Sequence, residues 1–110
     1  MKKYIVEDTW RRYLASSDAL FKKVGESFLN SYQGFNDKVK CLYKQSKYNE
    51  LYLEIHSLKG ITLNLGMEDL YDITNKICQD ITDGKDYNPI YLEDMYVIFE
   101  KTYEELKNLI

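Results

Sequence analysis

The stretch NELYLEIHSLKGITLNLG, residues 49–66, decides how this chain folds. Its apolar side chains recur at alternating intervals of four and three residues, which places them on one face of an α-helix. The stripe predicts a helix over about residues 49–65 that buries Leu51, Ile55, Leu58, Thr62 and Leu65. Gly66 follows where a glycine commonly adopts the left-handed conformation that ends a helix.

The same helical spacing continues on both sides of this stretch. Upstream, it predicts a short helix over residues 7–16 and one long helix over 17–45, with Gly34 as a candidate bend. Downstream, it predicts a helix from Met67 to Ile81 and a last one that Asn88 caps and Pro89 begins. No segment alternates with the period of two that is typical of strands. We therefore expect an all-α single domain over residues 1–110: an up-down-up-down four-helix bundle with a short additional N-terminal helix.

Composition narrows the possible partners. The 110 residues carry a net charge of −3, and 45% of them are hydrophobic, as in globular proteins. A mildly acidic chain lacks the basic face that phosphate backbones need, so we expect no nucleic-acid partner. No apolar run approaches the roughly 18 residues that span a bilayer, and the start MKKYIVEDTW does not resemble a secretory signal. We expect no membrane partner and a cytoplasmic protein.

The two cysteines, Cys41 and Cys78, fall in different predicted helices. We interpret them as small, buried or half-buried thiols, and a disulfide or metal pair is the alternative. One histidine and two cysteines on other helices lack the spacing of metal ligands, so we predict no metal site.

His56, the only histidine, lies about 100° around the helix axis from the core residue Ile55. It should therefore sit at the edge of the apolar stripe or face water. Lys59 and Gly60 follow three and four residues later, on the same face of the helix. Gly60 has two interpretations: a helix stop, or a helical glycine that costs about 1 kcal/mol relative to alanine. We favour the second because the apolar spacing continues to Leu65. A missing side chain there leaves room for a phosphoryl group and a partner protein to approach the imidazole.

Lys59 has a functional and a plain interpretation. Its ammonium would attract an oxyanion attached to the imidazole, although most surface lysines are simply solvated. A hydrolase triad has little support, because the sequence offers no serine or cysteine nucleophile motif. The remaining possibility is that His56 itself is the nucleophile, with a cation at Lys59 and a gap at Gly60 beside it.

The segment HSLKGITLNLG, residues 56–66, resembles the signature of histidine-containing phosphotransfer domains. That signature has a histidine, a lysine three residues later, a glycine at four, a polar residue at eight, an aliphatic at nine and a glycine at ten. The similarity extends over roughly residues 15–110, because the flanking helices also resemble those of the family.

This resemblance implies a monomeric phosphocarrier that is not an enzyme and has no kinase or nucleotide site of its own. Such domains accept a phosphoryl group from the phospho-aspartate of a receiver domain and pass it to another receiver. By this resemblance, His56 is the phospho-acceptor, Lys59 stabilises the phosphoryl oxygens and Gly60 gives steric access. The family needs no cofactor of its own, since the receiver supplies Mg²⁺. The implied partners are response-regulator receiver domains, with a hybrid sensor histidine kinase as a further candidate.

The sequence departs from the family at Leu63, seven residues after the histidine, where the family usually has a small residue. Leu63 either narrows access to His56 or extends an apolar patch on which a receiver docks, and we favour docking because Gly60 is present. Tyr52 and Leu53 are further docking candidates, with core packing as the alternative, and Ile61 is assigned to the core. If Leu63 blocks transfer, the alternative function is a non-phosphorylated helical interaction module that binds a receiver or kinase partner. A third hypothesis is a bundle that binds a small ligand or a metal.

Overall fold

The computed structural model describes residues 2–110, which form six α-helices and one 3-10 turn, with no strand among them. The prediction of an all-α protein is confirmed. In chain order the helices are α1 Glu7–Tyr13, α2 Asp18–Ser31, α3 Phe35–Lys44, α4 Tyr48–Thr62, α5 Glu68–Thr82 and α6 Pro89–Leu109. The 3-10 turn, Leu63–Leu65, continues α4 directly.

The single long helix predicted over residues 17–45 is wrong, because α2 and α3 are separate helices. Gly34 has a φ of +74°, in the left-handed region, and a right-handed α-helix cannot continue through such a residue. The N–H of Phe35 donates to the carbonyl of Tyr32 at 3.1 Å, which closes the turn between the helices. Phe28 and Phe35, on either side of the break, both pack against Phe99 of α6, with ring centroids 6.3 and 4.9 Å away.

The histidine-bearing helix agrees with its predicted extent. Helix α4 and the 3-10 turn together cover residues 48–65, and Gly66 follows with a φ of +72°. All five predicted core residues of this stripe, from Leu51 to Leu65, are buried. Gly60 lies inside α4, so its interpretation as a helix stop is wrong.

The helices pack in a chain of neighbouring pairs. Helix α4 packs against α3 and α5, α5 packs against α6, and α6 packs against α2. Helix α1 lies against the 3-10 turn at the end of α4. Helix α6 begins as predicted, because Pro89 is its first residue and the Asn88 side chain accepts the Ile90 N–H at 2.9 Å.

The segment before α1 is bound to the end of the histidine helix. The N–H of Val6 donates to the Gly66 carbonyl at 2.8 Å. The Glu105 carboxylate accepts the N–H groups of Tyr4 and Ile5 at 2.9 and 2.8 Å. These bonds hold the buried Ile5 side chain in the core.

Both cysteines are free thiols, but their surroundings differ. Cys78, on α5, is buried as predicted, whereas Cys41, on α3, is exposed and so contradicts the prediction of a buried or half-buried thiol. Within residues 2–110, no helix combines the length and the apolar character needed to cross a membrane.

Candidate functional site

His56 lies on the solvent-facing side of α4, next to the buried Ile55. Its imidazole forms neither a side-chain hydrogen bond nor an ion pair with any other residue in 2–110. Neither ring nitrogen therefore has a hydrogen-bond partner among the described residues, and a neutral imidazole can act as a nucleophile through one of them.

Gly60 is exposed one helical turn beyond His56. A Cβ atom built at Gly60 would meet no atom within 4 Å, so neither the core nor a neighbouring helix requires a glycine here. The backbone is also helical, which any residue can adopt. The visible consequence of Gly60 is an open surface next to the imidazole.

Lys59, near the C-terminal end of α4, is half-buried. Burial raises the pKa of the Cys78 thiol on α5, and the positive charge of Lys59 partly offsets that rise. Lys59 has no carboxylate partner among residues 2–110, whereas Lys38 pairs with Glu54 at 2.5 Å. A positive charge without an internal partner is available to an anion that arrives at this face.

The face of α4 around His56 carries no carboxylate. The positions at three, four and seven residues on either side are occupied by Asn49, Tyr52, Leu53, Lys59, Gly60 and Leu63. Glu54 lies on α4 as well, but its ion pair with Lys38 directs it toward α3. The residues on this face of α4 therefore include one cation, Lys59, and no group with the negative charge of a phosphoryl group.

Aromatic and aliphatic side chains border the imidazole on its N-terminal side. Tyr52 stacks on His56, with ring centroids 5.6 Å apart and ring planes inclined by 27°. Tyr52 is also half-buried against the core, so its core alternative is correct in part. Leu53 is 62% exposed and lies outside the core.

The two larger residues beyond Gly60 have separate surroundings. Ile61 packs against the core, as predicted. Leu63 is half-buried in the 3-10 turn, one helical turn beyond Gly60. The structure thus brings His56, Lys59, Gly60, Tyr52, Leu53 and Leu63 onto one continuous stretch of α4 and its 3-10 extension.

The sequence prediction missed a groove of about 400 Å³ that begins beside this stretch. Besides Tyr52 and Leu53, it is lined by Tyr48, Asn49, Ile81, Thr82 and Tyr87. The Tyr87 hydroxyl donates to the Tyr48 carbonyl at 2.9 Å, and burial is the main cause that raises the Tyr87 pKa to about 12. Tyr48 could have been predicted, because it lies four residues before Tyr52 and so on the same face of the helix. No local pattern indicates Tyr87, because it comes from the loop between α5 and α6.

Residues 2–110 contain no group of three histidine, cysteine or acidic side chains placed to hold a metal ion. Comparisons with protein-family models, with curated proteins and with solved structures gave no match to this chain.

Proposed function

We propose that this protein is a histidine phosphocarrier in a multistep phosphorelay. It accepts a phosphoryl group on His56 from the phospho-aspartate of a receiver domain and passes it to another receiver. One observation carries the proposal: an exposed imidazole, with no hydrogen bond to any residue in 2–110, lies one turn from open space at Gly60, on a face of α4 with no carboxylate. The resemblance of residues 56–66 to histidine-containing phosphotransfer domains supports the same function.

The reaction is a phosphoryl exchange between two proteins. A ring nitrogen of His56 attacks the phosphorus of the phospho-aspartate, an N–P bond forms, and the P–O bond to the aspartate breaks. The bonding electrons leave with the aspartate carboxylate, and the reverse sequence loads the next receiver. The receiver supplies Mg²⁺, and Lys59 stabilises the phosphoryl oxygens from the carrier's side. Catalysis consists mainly of positioning and charge stabilisation, as in other phosphoryl transfers.

The receiver would dock on the apolar residues that flank His56. Leu53 and Tyr52 lie on one side and Leu63 on the other, so that a docked receiver would surround the reactive nitrogen. The 62% exposure of Leu53 supports docking, because burying a large apolar side chain against a partner contributes favourable free energy to binding.

We further propose that α2 and α3 together act as one broken helix in a four-helix bundle, with α1 across one end. The packing of α2 on α6 and of α3 on α4 supports this arrangement. In this proposal the carrier is a monomer in the cytoplasm, its partners are receiver domains and a hybrid sensor kinase, and it has no nucleotide site.

The test is transfer from a panel of phosphorylated receiver domains. We expect acid-labile, base-stable phosphate on the wild-type protein and none on His56→Gln. Gly60→Gln should slow transfer at least about tenfold, because its side chain occupies the open space beside the imidazole. Ser57→Gln is the matched control: Ser57 is also exposed on α4, but it lies about 100° around the helix axis from His56.

Two results would contradict the proposal: transfer to His56→Gln, or no transfer to the wild type from any receiver. Receiver binding without transfer would instead favour the interaction module, with Leu63 as the obstruction. Equal rates for Gly60→Gln and Ser57→Gln would show that the steric account of Gly60 is wrong.

A further inference from the structure

We propose that Tyr52 is a positioning residue for the phospho-acceptor, in addition to any contact it makes with a receiver. The inference rests on the proposed function, because it concerns the chemistry of His56. It is carried by the stacking of the two rings, which lie four residues apart on α4.

The two rings differ in how firmly they are held. Tyr52 is half-buried against the core, and it shares the wall of the groove with Tyr48 and Tyr87. Those two tyrosines are themselves fixed, because Tyr87 donates to the Tyr48 carbonyl and their rings pack at 5.7 Å. His56 is exposed and has no hydrogen-bond partner in residues 2–110. The fixed Tyr52 ring can therefore restrict the orientation of the His56 imidazole.

Stacking can assist the reaction in two ways. First, it limits the rotation of the imidazole, so that a larger fraction of molecules presents the same ring edge to an incoming phosphorus atom. Second, the attacking imidazole gains positive charge in the transition state, and the face of an aromatic ring within about 6 Å attracts a cation. The second contribution grows during the reaction, so it lowers the barrier instead of only strengthening binding.

The chemistry of His56 can be separated from receiver docking with a small phosphodonor, phosphoramidate. A ring nitrogen attacks its phosphorus, an N–P bond to His56 forms, and the P–N bond to the leaving group breaks. Ammonia departs with the bonding pair, and the imidazole releases the proton on its other nitrogen to water. This donor is too small to need the docking surface, so its rate reports on the imidazole and its immediate neighbours.

The variants are Tyr52→Leu, which keeps an apolar side chain but removes the ring, and Tyr52→Phe, which keeps the ring. We expect Tyr52→Leu to lower the rate constant with phosphoramidate about threefold to tenfold, the range that an aromatic pair supports. Tyr52→Phe should restore the rate to within about twofold of the wild type. Tyr13→Leu is the control: it makes the same change at a 52% exposed tyrosine of α1, outside the site. It should leave the rate unchanged.

NMR provides a second readout, which does not depend on the reaction. Because the two rings stack, the Tyr52 ring current should shift the carbon-bound imidazole protons of His56 in the folded protein. We expect this shift to vanish in Tyr52→Leu and to persist in Tyr52→Phe and in Tyr13→Leu. If the substitution disturbed the fold as a whole, NMR signals throughout the protein would move instead.

The possible outcomes separate this inference from the relay itself. Wild-type transfer from a receiver, together with an unchanged or faster phosphoramidate rate in Tyr52→Leu, overturns the positioning role and leaves the relay intact. A slow Tyr52→Phe also overturns it, because the hydroxyl would then matter instead of the ring. Phosphoramidate labelling of His56 that depends on the Tyr52 ring, without transfer from any receiver, supports the positioning role and contradicts the relay. Failure of phosphoramidate to label the wild type overturns the inference.

Discussion

Replacing Gly60 with alanine should stabilise this protein. Gly60 is in the interior of α4 with helical backbone angles, and the added Cβ would find open space. Neither strain nor a clash opposes the substitution, so the difference in helix propensity decides its effect. Alanine is favoured over glycine by about 0.8–1 kcal/mol at an exposed helix interior. The free energy of unfolding should therefore rise by about that amount.

The expected change is measurable by thermal or urea unfolding. An unfolding entropy of about 2.1 cal/mol/K per residue, over 110 residues, makes 1 kcal/mol equivalent to roughly 4 °C in Tm. Ser57→Gly is the matched control on the same helix, because it adds a glycine at an exposed position; since serine is itself a weaker helix former than alanine, Tm should fall by about half as much, roughly 2 °C.

A fall in stability for Gly60→Ala would refute this reasoning, because it would show that the glycine has a structural role in α4. A rise would show that the native glycine makes the protein less stable than alanine would at this position. A residue that lowers stability is expected at a functional site, and the proposed function of Gly60 is to give access to His56.

Three further predictions test other parts of the structure. Gly66→Ala should lower the free energy of unfolding by about 2–4 kcal/mol, because the residue has a left-handed backbone and the added Cβ would also collide with the Val6 carbonyl. Gly34→Ala has the same backbone strain but no such collision, so it should lower the free energy of unfolding by about 1 kcal/mol. Equal losses in urea unfolding would exclude the Val6 contact. Leu63→Ala should weaken receiver affinity about fivefold in titration calorimetry, with transfer at saturation unchanged; faster transfer would mean that Leu63 obstructs. The raised Tyr87 pKa favours the neutral phenol in the folded state, so stability should fall from about pH 10 to about 12. Tyr87→Phe should flatten that fall, and an identical pH profile would contradict the assignment.

The sequence was sufficient to predict elements that depend on neighbours along the chain. The stripe from Leu51 to Leu65 and the stop at Gly66 follow from helical spacing and capping, and the structure contains both. The break at Gly34 was not predicted as a break, because the spacing from Phe28 through Tyr32 to Phe35 stays helical across it. The apolar spacing indicates only which side chains face the core. A turn that keeps the same face buried does not alter that spacing, so the spacing does not indicate the turn.

In the candidate site, too, the sequence predicts the features that depend on local spacing and misses those that depend on packing between distant segments. The positions of His56, Lys59 and Gly60 on one face follow from intervals of three and four residues. The burial of Lys59 near Cys78 and the arrival of Tyr87 depend on how α5 and the following loop pack on α4. Such contacts join residues far apart in the chain, so local spacing carries no information about them.

The most direct test of the account is to locate the phosphate. The protein is incubated with a phosphorylated receiver, kept at alkaline pH, digested with trypsin and analysed by mass spectrometry with a fragmentation method that preserves N–P bonds. The account predicts one added phosphate on the peptide YNELYLEIHSLK, residues 48–59, with the fragment masses assigning it to His56. Phosphate on any other residue, or none after exposure to every available phosphorylated receiver, would contradict it.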